Sequence, residues 1–446
     1  MPLLKSDPIV IVGAGAFGLS TALRLLEARF IDITVLEKDD TLPSRFSAAN
    51  DLNKIIRAEY EDPFYTKLTL PMANFSKEAI RAWQTPLFAP HFHQTGFLHC
   101  VSGSAPERAT ATLARFHDSA KRDPWIEKHV VPIEGPDDIR QHTWQYNDGP
   151  LTGWRGYLNR LGGYAHSANA LLGLYRFLRE RGVKFYTGDR GAVTEIIYDE
   201  PSSPATPRKS TGARTKTGDF PAKLVIVAAG AAADRLVPEC GQHVVAKSWS
   251  VAHIQLTDDE ASALRGVPVT YARDLGFFFE PDHKTNLLKL CPMGGGYVNT
   301  DPETGVSHAP QTPGENSFMP LHDQQQVRRL LAQTLPALAD RPLVKQSLCW
   351  FADTNDSDFI IDYVPNTDLT VLLMSGDSGH GFKMYPIVGN WVRDMLLATD
   401  GKQPISKFRW KAPVSTGGKD WGGAVSWRLG DTKELKDLTN PKSSKL

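Results

Sequence analysis

The residues with the clearest chemical potential lie near the start, where Gly13, Gly15 and Gly18 form a G-x-G-x-x-G turn, and Glu37 follows 19 residues after the last of them. In such a turn the first glycine permits a tight bend, and the second lets the backbone approach a pyrophosphate. The third lets a helix pack closely on a strand. A carboxylate at this distance accepts hydrogen bonds from ribose hydroxyls. The spacing predicts a dinucleotide site, but it does not distinguish FAD from NAD, because both carry the same ADP half.

A second candidate is Cys349, which stands beside a tryptophan in the stretch SLCWFADTND. A thiolate is a good nucleophile toward an electron-poor carbon. The other cysteines, Cys100, Cys240 and Cys291, are far apart and form no C-x-x-C pair. This pattern predicts neither a disulfide framework nor a structural zinc site, and it fits a reducing compartment. The residues alone favour a small buried hydrophobic role for Cys349.

Three cations from distant parts of the chain are candidates for charge chemistry. Lys289 stands in NLLKLCP, where strand alternation places it on the same face as Leu287 and Cys291. Arg57 offers a planar, two-pronged donor and Lys383 a point charge. For each residue taken alone, a solvated surface charge is the commoner interpretation.

Histidines cluster in FAPHFHQTGFLH, which contains His91, His93 and His99. No carboxylate or cysteine stands near them at the spacing that metal ligands adopt. We therefore predict loop and core histidines here, and no metal site.

The elements that must position these residues follow from hydrophobic periodicity. Ile9 to Val12 predict a strand buried on both faces, followed by a helix and a second strand that ends at Glu37. The stretch from Gly163 predicts a helix that ends at Gly182, and Leu224 to Leu236 predict a strand that returns to the first sheet. Short alternating segments between Trp249 and Asn299 predict an antiparallel sheet.

Length and charge limit the class of protein. A chain of 446 residues is too long for one hydrophobic core, so two or three domains are expected. Fifty basic and fifty acidic residues cancel, which disfavours nucleic acid as a partner. No apolar run reaches the roughly 18 residues that a membrane span needs, so no membrane partner is predicted. The final Ser444-Lys445-Leu446 matches a peroxisomal address, which predicts an import receptor as a partner and the peroxisome as the location.

Taken in order, these motifs resemble a known family. The glycine turn with Glu37 is followed by NKIIRAEY from Asn53, LLKL from Leu287, Cys349, DFIID from Asp358 and SGHGFK from Ser378. This set is similar to the sarcosine oxidase-like flavoprotein amine oxidases, and most similar to the fungal branch with L-pipecolate and L-saccharopine oxidases. The resemblance implies a monomer that uses FAD to oxidise a secondary amine to an imine, with oxygen as acceptor and hydrogen peroxide as product.

The resemblance also implies the fold class, α/β with a discontinuous, Rossmann-like FAD-binding domain and an inserted, mainly antiparallel sheet as substrate domain. We assign residues 1–85, 155–240 and 345–412 to the FAD-binding domain. Residues 86–154 and 241–344 form the substrate domain, and 413–446 form a C-terminal tail.

Roles for individual residues come from the same resemblance. It implies that Cys349 is joined through sulfur to the 8α carbon of the flavin, and that Lys289 and Lys54 act in catalysis beside the ring. Substrate would be held by Arg57, Lys383, Tyr60 and Arg409. The predicted cofactor-binding residues are Gly13, Ala14, Gly15, Ala16, Phe17, Gly18, Glu37, Lys38, Ser47, Asn53, Lys54, Val193, Cys349, Gly379, His380, Gly381, Phe382 and Lys383.

Alternatives remain open at this point. A fructosyl amino acid oxidase, or amadoriase, is the nearest, since NDLNK and FRWK look amadoriase-like while Arg57 in IIR favours the first assignment. A biosynthetic amine oxidase of the same branch is the next. From other classes, a nicotinamide-dependent dehydrogenase or a non-catalytic flavin-binding module would share the glycine turn.

Overall fold

The structure is a computed structural model that describes residues 3–66, 75–200, 203, 206–312, 317–413, 421–423, 425 and 428–439. The Ser444-Lys445-Leu446 tripeptide lies outside these residues, so the peroxisomal signal stays a prediction from sequence. Within the described ranges no helix is both long enough and apolar enough to cross a lipid bilayer.

The strands and helices have the following bounds. The strands are β1 (Ile9–Val12), β2 (Ile33–Glu37), β3 (Lys54–Ile56), β4 (Phe92–His93), β5 (Phe97–Val101), β6 (Val130–Ile133), β7 (Arg155–Asn159), β8 (Gly163–Ala165), β9 (Lys184–Thr187), β10 (Val193–Tyr198), β11 (Ser210–Thr215), β12 (Gly218–Pro221), β13 (Leu224–Val227), β14 (Val244–Gln255), β15 (Val269–Ala272), β16 (Gly276–Phe278), β17 (Leu287–Pro292), β18 (Tyr297–Val298), β19 (Val344–Thr354), β20 (Ile360–Tyr363), β21 (Val371–Ser375) and β22 (Lys433–Glu434). The helices are α1 (Ala16–Glu27), α2 (Pro63–Thr66), α3 (Phe75–Trp83), α4 (Glu107–Arg122), α5 (Pro124–Glu127), α6 (Pro136–His142), α7 (Ser167–Glu180), α8 (Asp258–Ala263), α9 (Leu321–Thr334), α10 (Val388–Leu397) and α11 (Leu435–Thr439).

The first sheet has the strand order β20-β21-β13-β1-β2-β9. Its strands pair in parallel except at the β20–β21 edge, and β1 lies between β13 and β2. Ile9 and Ile11 face one core while Val10 and Val12 face another, so both faces of the strand are buried. The continuous apolar run follows from this two-sided burial. The predicted return of the Leu224 strand to this sheet is confirmed.

The glycine turn joins β1 to α1 under tight steric limits. Gly13 has φ +108, a conformation that favours glycine. A Cβ on Gly18 would lie 1.9 Å from the carbonyl oxygen of Gly13. The first turn of α1 therefore touches the end of β1 directly, as the third glycine of the motif predicts.

Gly18→Ala is expected to destabilise the fold, because a methyl group there must push α1 away from β1. Overpacking of this kind costs about 1–3 kcal/mol or more. The free energy of unfolding from urea titration measures it. Gly294→Ala is the matched control, since a Cβ there meets no atom nearer than 4.0 Å. Equal stability of the two variants would contradict the close contact.

The second large sheet has the order β22-β18-β14-β17-β16-β15-β5-β7-β6, with β19 also paired to β14. Its pairs are antiparallel except β15 with β5 and β18 with β22. Its core is apolar and includes Leu288 and Leu290 of β17. A small sheet of order β3-β8-β4 carries Lys54 on β3.

The sheet pairing differs from the predicted boundaries at 155, 345 and 413. Strands β7 and β19, which the sequence division placed in the FAD-binding domain, pair within the large antiparallel sheet. Strand β22 of the predicted tail pairs with β18, and Trp421 and Arg428 are buried against Asp353. The reason is that a short apolar segment shows how deeply it is buried, but not which strand it pairs with.

Candidate functional site

A cavity of about 700 Å³ lies where the parallel sheet meets the large antiparallel sheet. Ligand pockets in proteins span roughly 300–1,000 Å³. Its lining includes Gly13 and Glu37 from the N-terminal unit, Lys289 from β17, Cys349 from β19 and Lys383 from the far end of the chain. Segments separated by hundreds of residues thus meet around one space.

Most of the residues predicted from sequence line this cavity. Those in its wall are Gly13, Gly15, Ala16, Phe17, Glu37, Lys38, Ser47, Lys54, Arg57, Tyr60, Val193, Lys289, Cys349, Gly379, His380, Phe382 and Lys383. Five predicted residues are not in the lining: Ala14, Gly18, Asn53, Gly381 and Arg409.

These five residues have other roles. The backbone N–H of Ala14 donates to Glu37 Oε2 at 2.9 Å, and Gly18 packs on Gly13. Gly381 leaves room for the ring of Phe17, and the buried Asn53 accepts from Lys289 through its backbone carbonyl. Arg409 is exposed, and its Nε donates to the carbonyl oxygen of Gln403 at 2.8 Å. The structure therefore places Arg409 outside the cavity lining, because its side chain is exposed while its neighbour Phe408 packs into the core.

The N-terminal end of the cavity fits an anion. Helix α1 has Gly15 as its N-cap, without a side-chain cap, so the first-turn N–H groups and the positive end of the helix dipole are available to a phosphate. Gly13 and Gly15 have no side chains, so the backbone here is accessible to a ligand. The buried Glu37 accepts N–H groups from Ala14 and Asp39, which fix its carboxylate at the cavity wall. These donors and this acceptor match the pyrophosphate and ribose of a dinucleotide.

Three charged groups form a compact network in the cavity wall. Asp51 Oδ2 accepts from Lys54 Nζ at 2.8 Å and from Lys289 Nζ at 2.5 Å. Lys289 Nζ also donates to the carbonyl of Asn53 at 2.7 Å. Burial alone would raise the pKa of Asp51, but the two lysines hold it well below its usual range. The network retains one excess positive charge, which is fixed in place beside the cavity.

Asp51 was missed by the sequence analysis although it stands in NDLNK, three residues before Lys54. A carboxylate beside a lysine in sequence is common on surfaces and carries no specific signal. Its importance comes from Lys289, which is 238 positions further along the chain.

Two cysteines line the cavity in different surroundings. Cys349 is half-buried, and its Sγ lies 3.7 Å from Lys54 Nζ. Cys291 is buried, and burial raises its thiol pKa to about 12. Cys349 is therefore the more accessible of the two thiols.

Two cations converge on one aromatic ring in the same cavity. Arg57 Cζ lies 4.8 Å from the ring centroid of Tyr60, and Lys383 Nζ lies 3.9 Å from it. The Tyr60 hydroxyl is 3.0 Å from His380 Nδ1, and His380 Nε2 is 2.8 Å from the carbonyl of Ser357. Because that carbonyl can only accept, Nε2 carries the proton and Nδ1 accepts from Tyr60. These two hydrogen bonds fix the orientation of the Tyr60 ring, against which the two cations lie.

Burying the positive charge of Lys383 costs free energy. This residue is 3% exposed, and burial and then the charge of Arg57 hold its pKa well below the usual lysine value, although Glu59 opposes this in part. An anion bound between Lys383 and Arg57 would relieve the repulsion between them. The pair is therefore suited to a carboxylate ligand.

Aromatic residues complete the wall, and the sequence analysis had not assigned them to the site. Trp249, Tyr271, Phe277 and Phe279 all line the cavity. Gly379, with φ +73, packs so closely on Trp249 that a Cβ would lie 2.1 Å from the indole ring. In sequence these residues look like ordinary strand residues, since aromatic side chains are common in sheets.

Residues 8–395 match the family described as DAO, FAD dependent oxidoreductase. This chain belongs to that family. FAD is accordingly the dinucleotide of this family, and the alternative of a nicotinamide-dependent dehydrogenase is set aside.

Relatives of this FAD-dependent oxidoreductase carry the names of oxidases. L-saccharopine oxidase of Schizosaccharomyces pombe is 32% identical over 438 residues, with 95% of this chain and 96% of the relative covered. Peroxisomal sarcosine oxidase of Mus musculus is 23% identical, with 90% and 94% covered. The resemblance to sarcosine oxidase-like flavoproteins is confirmed.

Solved structures agree with this placement. The fructosamine oxidase Amadoriase II of Aspergillus fumigatus is 29% identical with a TM-score of 0.83, covering 98% of this chain and 97% of that chain. The fructosyl peptide oxidase of E. terrenum is 30% identical with a TM-score of 0.82, and 98% of each chain is covered. The predicted α/β fold with an FAD-binding part and a substrate part is confirmed.

Proposed function

We propose that this flavoprotein oxidises the secondary amine of an α-amino acid of the L-saccharopine or L-pipecolate kind. The observation that carries this proposal is the pair of cations, Arg57 and Lys383, stacked on Tyr60 in the cavity that also contains Lys289 and Cys349. A carboxylate bound there would orient the rest of the substrate within the same cavity. The balanced reaction converts R₂CH–NHR′ and O₂ into R₂C=NR′ and H₂O₂.

When bound, FAD would supply the redox chemistry, by which two electrons and two protons pass from the amine to oxygen. The chain supplies position and charge. Arg57 offers two parallel donors to a carboxylate and Lys383 a point charge. Orienting a substrate in this way accounts for a large part of enzymatic acceleration.

Lys289 is proposed to assist the reaction with oxygen. Its ammonium is 2% exposed and is held by Asp51 and the Asn53 carbonyl, so it cannot turn away to solvent. A fixed cation of this kind stabilises negative charge as it develops on oxygen. Lys54 donates to the same oxygen of Asp51 as Lys289 and lies beside Cys349.

A fructosyl amino acid oxidase is the second candidate. It is favoured by the likeness to Amadoriase II over almost the whole chain. The surface position of Arg409 disfavours it, since that arginine was expected to hold carboxylate in the amadoriase manner. A biosynthetic amine oxidase of the same branch would share the carboxylate site and differ in its amine.

A substrate panel distinguishes these candidates. Purified holoenzyme is mixed with L-saccharopine, L-pipecolate, sarcosine or fructosyl-valine, and oxygen uptake and peroxide formation are followed together. We expect L-saccharopine or L-pipecolate to give the highest kcat/KM, with equal molar amounts of oxygen consumed and peroxide formed. A preference for fructosyl-valine would favour the second candidate, and no oxygen uptake with any of the four would overturn the first.

We also propose that Cys349 is bonded through Sγ to the 8α carbon of the flavin. Its position in the cavity wall supports this, because Cys349 is half-buried there whereas Cys291 is buried. Forming the C–S bond replaces one S–H and one C–H, and the two electrons and two protons released pass to O₂ as H₂O₂.

Cys349→Ser is expected to release the flavin. Acid precipitation of the wild-type enzyme should leave the yellow colour in the pellet, whereas the variant should lose it to the supernatant, because serine forms no such bond. Cys291→Ser is the matched control, since Cys291 lines the same cavity but is held as a buried thiol. Colour lost from both variants, or from the wild type, would contradict the bond at Cys349.

The monomeric state and a peroxisomal location are proposed on the sequence alone. Light scattering of the purified holoenzyme tests the first. A fluorescent protein fused ahead of residue 1 tests the second, by comparing the complete chain with one that lacks Ser444-Lys445-Leu446. Localisation that is unchanged by the deletion would argue against an import receptor for this tripeptide.

A further inference from the structure

Three side chains that sequence analysis did not connect meet outside the cavity. His93 lies on β4, while Glu280 and His283 lie in the loop between β16 and β17. Their nitrogen and oxygen ligand atoms all lie within 4.8 Å of one another. The prediction of no metal site was based on the lack of a carboxylate near the histidines in sequence. The fold supplies one from almost 190 positions away.

Neighbouring residues hold two of these side chains in place. The ring of His93 stacks on Tyr164 with centroids 4.9 Å apart and an interplanar angle of 7°, and His166 packs against it edge-on at 4.6 Å. Glu280 is 4% exposed and accepts from the Tyr164 hydroxyl at 2.6 Å and from the N–H of Gly266 at 2.8 Å. Such outer contacts orient metal ligands and tune their affinity.

One ligand atom is buried without a partner. His93 Nε2 is shielded from solvent, and among the residues that the structure describes none forms a hydrogen bond with it. Leaving a buried polar atom unsatisfied costs free energy, which a bound ion would recover.

The geometry suits a small transition-metal ion. Zinc binds histidine at 2.0–2.1 Å and carboxylate at about 2.0–2.2 Å, so tetrahedral neighbours lie about 3.3 Å apart. Glu280 Oε2 and His283 Nε2 are 3.5 Å apart. His283 is about half exposed and can adjust its side chain to close the remaining distance.

We infer that His93, Glu280 and His283 form a binding site for a divalent transition-metal ion, with Zn²⁺ as the expected occupant and water as its fourth ligand. Two imidazoles and one carboxylate are a ligand set that zinc accepts, with the fourth position open. The half-exposed His283 gives the ion a path from solvent.

The site would connect two parts of the fold. Strand β4 belongs to the small sheet that carries Lys54, and the Glu280 loop leads into β17, which carries Lys289. Phe279, next to Glu280, lines the cavity, and Lys289 Nζ lies 5.0 Å from its ring. A bound ion would therefore stabilise the position of this cavity wall from outside, without contacting a ligand in the cavity.

Zinc binding to the untagged, yellow holoenzyme tests the site, because a histidine tag would itself bind metal. The protein is treated with EDTA, desalted and titrated with ZnCl₂ by calorimetry, and bound zinc is counted by elemental analysis after dialysis. We expect one zinc per chain for the wild type. His283→Ala and the isosteric Glu280→Gln should each weaken binding at least about tenfold.

His322→Ala is the matched control, since His322 is an exposed histidine at the start of α9. It should bind zinc as the wild type does. A wild type that binds less than one zinc per chain would overturn the proposal. So would undiminished binding in His283→Ala, or an equal loss in His322→Ala. Flavin absorbance of each variant verifies that the fold and cofactor are intact, so a folding defect is recognised separately.

Discussion

Replacing Lys289 with methionine is expected to slow the reaction of the reduced flavin with oxygen by about 100- to 1,000-fold, the usual effect of removing one preorganised charge-stabilising group. The ammonium is buried and donates to Asp51 and to the Asn53 carbonyl, so its charge is fixed beside the cavity. Stopped-flow mixing of dithionite-reduced holoenzyme with oxygenated buffer measures the rate. This measurement does not depend on knowing the amine substrate.

Two comparisons make this result specific. Lys223→Met removes an exposed lysine and should leave reoxidation unchanged. Anaerobic reduction of Lys289→Met by substrate should change much less than reoxidation, because the proposed carboxylate contacts come from Arg57 and Lys383. Normal reoxidation in Lys289→Met would exclude the oxygen role and leave Lys289 only as a structural partner of Asp51 and the Asn53 carbonyl.

Replacing Lys383 with methionine is expected to raise the KM for a carboxylate substrate by roughly 30- to several-thousand-fold. Truncating one member of a buried, hydrogen-bonded charge pair costs about 2–5 kcal/mol, and each 1.36 kcal/mol corresponds to a factor of ten. The substrate carboxylate would be left with Arg57 alone. Steady-state oxygen uptake with the best amine of the panel measures the change.

Arg409→Ala is the contrasting variant. Arg409 and Lys383 were both predicted from the family resemblance to hold substrate, but the structure places Arg409 at the surface, where it is bonded to Gln403. Its replacement should leave KM within about twofold, a change of roughly 0.4 kcal/mol. A large KM increase in Arg409→Ala, with little change in Lys383→Met, would reverse the proposed position of the carboxylate.

The burial of Lys383 also predicts how the stability of the protein depends on pH. The pKa of Lys383 in the folded, ligand-free protein lies well below the value of an unfolded lysine, so the unfolded chain binds more protons between the two pKa values. The free energy of unfolding should therefore rise with pH across that window. Below the folded pKa, Lys383 is protonated in both states, and the full cost of burying its charge lowers the stability. Lys383→Met should lose this pH-dependent rise. Urea titration of the ligand-free holoenzyme at several pH values measures it.

The dinucleotide-binding motif could be predicted because its residues are close together along the chain. Gly13, Gly15, Gly18 and Glu37 lie within one strand-helix-strand unit, whose backbone geometry dictates their spacing. Cys349, Lys289, Arg57 and Lys383 were identified only because the family resemblance supplied their roles. Their surroundings in sequence are equally typical of core or surface residues, and the cavity that unites them supports the assignment.

The strand patterns indicated burial and type, but pairing was decided by the folded chain. Strands β7 and β19 joined the antiparallel sheet against the predicted boundaries, because their partners lie on distant segments. The same sheet brings Lys289 on β17 to Asp51, and the β16–β17 loop brings Glu280 and His283 to His93. Spacing along a chain constrains only residues within one or two neighbouring elements, whereas these contacts depend on sheet register across many elements. The amino-acid order therefore predicted the dinucleotide-binding turn, while tertiary packing created the charge network and the histidine cluster.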